Sequence, residues 1–228
     1  MAALALAAAA TLTGCGGSDG DPIANTDVLL VADDGTSSFS ATALGSQLQV
    51  LPLQAPSADE QASLTLMREE EKLAHDVYAR LDALWSTQTR TFANIATSEA
   101  THTEAVRQLL LRYALTDPAA TSPSGMFANP DLQALHDALV TQGAGSLVQA
   151  LQVGALVEEI DIMDLQHDLA FVDNEDIRLV YLNLMKGSRN HLRSFAGALR
   201  AQGITYAPQV MDLASYTAIV TSPYERGR

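Results

Sequence analysis

Four stretches of the sequence repeat their apolar residues with the 3.6-residue period of an α-helix, and acids or a histidine interrupt every stripe. The first carries Leu64, Met67, Ala74, Tyr78, Leu81 and Trp85 around Glu71. The second has Phe92, Ile95, Val106, Leu109 and Tyr113 around Glu99 and His102. In the third, Leu147, Leu151, Gly154 and Leu165 flank Glu158 and Asp161. In the fourth, Ile177, Tyr181, Leu184, Ser188, Phe195 and Leu199 flank His191. A stripe of this period faces a core. An ionisable group on such a stripe is costly to bury unless something pairs with it. The hydrophobic content of 47% with only 5% aromatics also favours helices, so the fold class is all-α.

Local signals bound these helices. Ser57-Ala58-Asp59-Glu60 after Pro56 is a capping box, and the helix it starts runs to about Trp85. A second covers about Thr91 to Ala114, ended by Asp117-Pro118 and a Thr/Ser/Pro/Gly stretch reaching Gly125. A long connection follows with one short helix, about Asp131 to Gln142, stopped by Gly143 and Gly145. Ser146 caps a third long helix to about Phe171, and Asp173 or Asn174 opens a fourth to about Ala201, with Gly203 as terminator. The plan is a four-helix bundle over residues 57–216: two antiparallel pairs joined by a long crossover carrying the short helix. After Gly203 the chain has Pro208, Pro223 and little periodicity, and it is expected to pack irregularly, with 217–228 as a tail. Residues 15–56 read as a flexible tether, although Val28–Val31 and Gln47–Leu51 resemble short strands about an Asp34-Gly35 turn.

A net charge of −14 opposes a phosphate backbone, which excludes nucleic acid as a partner. The single cysteine, Cys15, excludes an intramolecular disulfide and a thiolate zinc site. An apolar run from Ala2 leads into Leu12-Thr13-Gly14-Cys15, which resembles the lipobox of bacterial lipoproteins, although no Lys or Arg precedes the run. The resemblance implies a lipoprotein-type signal peptide at 1–14, lipid attachment at Cys15, and a mature protein anchored on the periplasmic side of the bacterial cell envelope. The alternative is an ordinary signal peptide and a secreted protein.

Glu99 and His102, three residues apart, leave one face of a helix a turn from each other. A metal ion is one partner that justifies both in a core. A di-iron carboxylate site needs hard oxygen ligands, a His for each metal and carboxylates that bridge. A bundle supplies these as a Glu on each of two helices and Glu-x-x-His on the other two. Glu71, Glu99 with His102, and Glu158 match three of the four elements. The fourth is altered, because His191 is preceded at minus three by Ser188 rather than Glu. Asp161 either restores the count or holds a ligand His by a hydrogen bond. The expected metal ligands are therefore Glu71, Glu99, His102, Glu158, Asp161 and His191, against a buried Glu–His ion pair without metal.

Neighbouring groups read differently. The run Glu69-Glu70-Glu71 should expose at least one acid, and Glu159 falls with Gln152 and Gln166 off the stripe. His75 lies with Lys72, Asp76 and Ala79 on a solvent face, and His136 and His167 read as surface histidines. Tyr78, Tyr113 and Tyr181 read as core, with the Tyr78 hydroxyl able to donate to a ligand carboxylate.

The segments Met67-Arg68-Glu69-Glu70-Glu71-Lys72-Leu73-Ala74, Phe92-Ala93-Asn94-Ile95-Ala96, Glu158-Glu159-Ile160-Asp161-Ile162 and Gly187-Ser188-Arg189-Asn190-His191-Leu192, in this order, resemble a known family. It is the uncharacterised ferritin-like family termed domain of unknown function 2202, related in layout to rubrerythrins and bacterioferritins. The resemblance covers about Glu60 to Tyr216 and implies a ferritin-like four-helix bundle. It selects Glu71, seven residues before Tyr78, over Glu70. It implies a cofactor of two iron ions, with manganese or zinc as alternatives, and oxidation of Fe(II) or reduction of peroxide as activities. Rubrerythrins also carry a rubredoxin-like four-cysteine domain, which this chain lacks the cysteines to build. The expectation is a di-iron protein whose partners are metal ions, the membrane through Cys15 and, as an assembly, a second copy in a homodimer. The rival is a non-catalytic periplasmic metal-binding or structural lipoprotein.

Overall fold

The computed structural model describes residues 27–226. The segment read as a signal peptide, and Cys15 itself, lie outside the described residues. Among those, the chain is mostly helical, as expected. A hairpin of β1 (Leu29–Val31) and β2 (Ser37–Phe39) comes first, antiparallel, with Leu29 opposite Phe39 and Val31 opposite Ser37. Gly35 turns it at φ +87°, where a side chain would be strained. Helices α1 (Ala41–Val50), α2 (Ala58–Trp85), α3 (Thr91–Arg112), α4 (Pro130–Gly143), α5 (Leu147–Asp168), α6 (Glu175–Ala201) and α7 (Leu213–Thr221) follow. None is long and apolar enough to cross a membrane.

The caps act as their residue types require. Ser57 N donates to Glu60 Oε2 at 2.8 Å while Glu60 N donates to Ser57 Oγ at 3.2 Å. Ser146 Oγ accepts from Gln149 N at the start of α5, and Gly203 leaves α6 at φ +74°.

Three expectations are corrected. Residues 27–56, read as a tether, hold the hairpin and α1, which bury Val28, Leu29, Phe39, Leu44 and Leu48 against the long helices. Gln47–Leu51, read as a strand, falls mostly in α1, because Leu44 and Leu48 are four apart and share a helical face. The segment after Gly203 is not wholly irregular: Asp212 Oδ1 accepts from Ser215 N and starts α7, which buries Tyr216.

The four long helices pack α2 on α3 and α5 on α6, with α3 also against α6 and α2 against α5. Two apolar clusters fill the space between them. Along α2 the chain passes from Leu64 and Met67 in one cluster to Leu73, Val77 and Leu81 in the other; α3 passes back, from Phe92 and Ile95 to Val106 and Leu109. Helix α5 runs as α3 does, from Leu151 and Val153 to Leu165, and α6 as α2 does, from Ile177 and Tyr181 to Leu192 and Phe195. Each pair is thus antiparallel. Between the clusters each helix contributes its polar residues at one level.

Candidate metal centre

At that level Glu71 on α2, Glu99 and His102 on α3, Glu158 on α5 and His191 on α6 come together, each no more than 3% exposed. Glu99 is central. Its Oε2 lies 2.9 Å from His102 Nδ1 and its Oε1 2.7 Å from His191 Nδ1, so one carboxylate spans both rings. The flanking acids match one another: Glu71 Oε2 is 3.5 Å from His102 Nδ1, and Glu158 Oε2 is 3.5 Å from His191 Nδ1. The two imidazoles stack with centroids 5.3 Å apart and planes 16° off parallel.

These contacts are close without being aligned. Both Nδ1 atoms and Glu71 Oε1 are buried with no hydrogen-bond partner, although Glu99 lies within strong electrostatic reach of both rings. Orphaned buried polar atoms are rare and costly, about 1–3 kcal/mol each. Carboxylate oxygens and imidazole nitrogens held close together without aligned hydrogen bonds are an arrangement that a metal ion can satisfy. One ligand atom from each of Glu99, His102 and His191 lies within 4.8 Å of the others, so these three could hold an ion. The donor set of carboxylate oxygens and imidazole nitrogens, without thiolate, suits iron, manganese or zinc.

The remaining expected ligand, Asp161 on α5, accepts a hydrogen bond from Ser188 Oγ on α6. The Ser at the altered position thus presents a carboxylate from the neighbouring helix. Tyr78 donates to Glu158 Oε1 at 2.6 Å, the contact expected of its hydroxyl.

Charge explains the protonation pattern. Burial lifts the Glu71 carboxyl to about 7 against the pull of His102. Burial also raises Glu158 and, with the Glu71 charge, holds Asp161 well above the usual carboxylate range. Glu99 moves the other way: burial opposes its charge, but His102 and His191 on either side hold its carboxyl far down. Burial disfavours charge on both rings, yet the Glu99 carboxylate raises them, His191 to about 9. Four acids face two bases. If all were ionised, two positive charges would be missing.

Several neighbours depart from expectation. None of Glu69, Glu70 and Glu71 is exposed: Glu69 is buried because Ala128 N and Asn129 N, in the crossover, donate to it. Glu159 is fully buried on another side of α5, where Tyr206 Oη and the amides of Gln209, Val210 and Met211 donate to it. Asp76 is buried too, accepting from Lys72 Nζ and Gly125 N, while His75 stays partly exposed beside it. His136 is buried under Phe127, whereas His167 is on the surface as expected. A helical period says which way a residue points, not whether a loop will cover it. Sequence reasoning missed Ser37 altogether. Its Oγ lies 3.1 Å from His102 Nε2 and 3.0 Å from His191 Nε2. No local signal marks it, since the contact spans 65 and 154 residues of chain.

A mostly helical domain with a buried carboxylate–imidazole cluster that could bind a metal ion is the class these observations define. The chain belongs to the family described as "Uncharacterized protein domain (DUF2202)", whose sequence pattern matches residues 60–223. Uncharacterized protein MJ0754 of Methanocaldococcus jannaschii is 48% identical over 177 residues, 78% of this chain and 95% of that protein. The crystal structure of hypothetical protein MJ0754 from Methanococcus jannaschii DSM 2661 aligns with TM-score 0.74 at 46% identity, covering 77% of this chain and 99% of that one.

Proposed function

We infer that this is a ferritin-like four-helix bundle that holds two metal ions, iron foremost, about the Glu99 carboxylate. The observation that carries the reading is Glu99 lying between two imidazoles whose Nδ1 atoms are buried close to its oxygens without an aligned hydrogen bond. Glu71 and His102 would hold one ion, Glu158 and His191 the other, with Glu99 between them and Asp161 supplying the carboxylate missing at position 188. Two divalent ions with neutral imidazoles balance four carboxylates. Bound iron would supply one-electron oxidation at each ion, with oxygen or peroxide as the oxidant. The chain's own part is to bury the donors between two apolar clusters, to exclude water, and to orient Glu158 through Tyr78. Ser188 in place of a bridging acid favours a second reading, a metal-binding protein without turnover. Mixing the ferrous protein with peroxide separates the two, because only the first reading gives rapid oxidation.

The lipobox resemblance supports placing the protein in the cell envelope, anchored through Cys15. Metal analysis of the protein purified from metal-replete cells tests the central reading. About two equivalents per chain are expected, with Glu99→Ala and His102→Ala removing or halving them. No iron, manganese or zinc in the wild-type protein would sink it.

A further inference from the structure

We propose that Ser37 is a positioning residue that fixes the tautomer of both site histidines, which makes the amino-terminal hairpin a working part of the centre. The inference rests on the metal reading above for its purpose and on hydrogen-bond geometry for its content.

One hydroxyl meets both rings on the side away from Glu99. A serine hydroxyl carries one hydrogen and two lone pairs. It can accept from two Nε2–H groups at once, but it can donate to only one ring. If Ser37 donated to either Nε2, that neutral ring would carry its proton on Nδ1, facing the acids, and could not offer Nδ1 to a metal. Acceptance from both keeps each proton on Nε2 and leaves both Nδ1 lone pairs directed at Glu99 and its flanking acids. A metal-bound histidine is commonly set in this way by a partner on its other nitrogen. Here one atom serves two rings.

The hairpin is fastened so that this atom is placed well. Ser37 is fully buried, and its own N–H donates to Ser98 Oγ at 3.0 Å. Two residues on, Phe39 N donates to Thr101 Oγ1 at 3.0 Å, and the Phe39 ring meets His102 edge-on at 5.5 Å. Ser98 and Thr101 each precede a site residue on α3, so one turn of helix both presents Glu99 and His102 and seats the strand that orients His102. The hairpin, at residues 29–39, lies outside the 60–223 segment that matches the family. This chain therefore completes its centre with a residue beyond the matched domain.

The test compares wild type, Ser37→Ala and Ser37→Thr as full chains. Imidazole ¹⁵N shifts are read by long-range correlation spectra in zinc-loaded protein, and in metal-free protein at a pH where the rings are neutral. Zinc affinity is measured by chelator competition, and far-UV circular dichroism checks folding. In wild type both rings should carry hydrogen on Nε2. Ser37→Ala should mix the tautomers and weaken zinc binding by about ten- to a hundred-fold, the usual cost of losing a partner behind a ligand histidine. Ser37→Thr, which keeps the hydroxyl, should recover most of that loss. A folded Ser37→Ala with unchanged affinity and both Nε2 atoms protonated would overturn the assignment. So would a wild-type ring protonated on Nδ1, a result that needs no variant to fold. If wild type binds no metal yet shows Nε2–H on both rings, the metal reading fails while the role of Ser37 stands.

Discussion

A methyl group added at Gly187 would lie 2.5 Å from His102 Cε1 and 2.9 Å from Ser37 Oγ, tighter than atoms tolerate. Glycine is otherwise a poor residue for the middle of α6, by up to about 1 kcal/mol relative to alanine. Close approach of α6 to the His102 ring and to the hairpin outweighs that penalty. Gly187→Ala should therefore destabilise the protein by about 1–3 kcal/mol despite its better helix propensity. Urea unfolding would measure this, and a variant as stable as wild type would contradict the close packing. At this scale the sequence was informative where chemistry repeats along a helix. The Glu99-x-x-His102 pair and Glu158 follow from the stripes, while the choice of Glu71 over Glu70 comes with the family resemblance. Ser37 follows from neither, because nothing in Ser-Ser-Phe announces that a hydroxyl on a three-residue strand will reach two histidines on different helices.

Among the elements, the crossover between α3 and α5 is held by acids that α2 turns outward from the centre. Asp76 accepts from Lys72 Nζ at 2.5 Å and from Gly125 N at 2.9 Å, with His75 Nδ1 2.9 Å away. Burial works against its charge, but His75, Lys72 and the Gly125 amide together hold its carboxyl far below the ordinary range. The folded state thus binds this proton more weakly than the unfolded chain, whose aspartates titrate near 4. The stabilisation is present above about pH 4 and is lost progressively as pH falls below it. Asp76→Asn should cost about 2–3 kcal/mol at pH 7, with the gap to wild type narrowing in acid. Denaturation at pH 7 and pH 3 checks this, and an equal gap at both would contradict it. Glu69 and Glu159 are buried because loops bring amides to them, and no helical stripe records where a loop will lie. The long helices were legible from their caps and stripes. Strand β1 and the turn at Gly35 were visible as the Val28–Val31 run and the Asp34-Gly35 pair, whereas the three-residue β2 and the nine-residue α7 were not, being too short to show a period.

For the molecule as a whole, two apolar clusters sandwich one polar level, and the full chain carries a formal net charge of −14. Such a field draws cations and repels anions. The buried acids outnumber the bases that face them, and the apolar clusters on both sides provide no further countercharge. Without an ion, raised carboxyls and protonated rings balance this level; the proposed metal ions would take the place of those protons. Anomalous scattering from crystals grown with ferrous iron under anaerobic conditions tests this most directly. Two iron peaks are expected flanking Glu99, one against Glu71 and His102 and one against Glu158 and His191, about 3.5–4 Å apart as in coupled pairs. No peak between the four long helices, or iron bound only at surface acids, would contradict it.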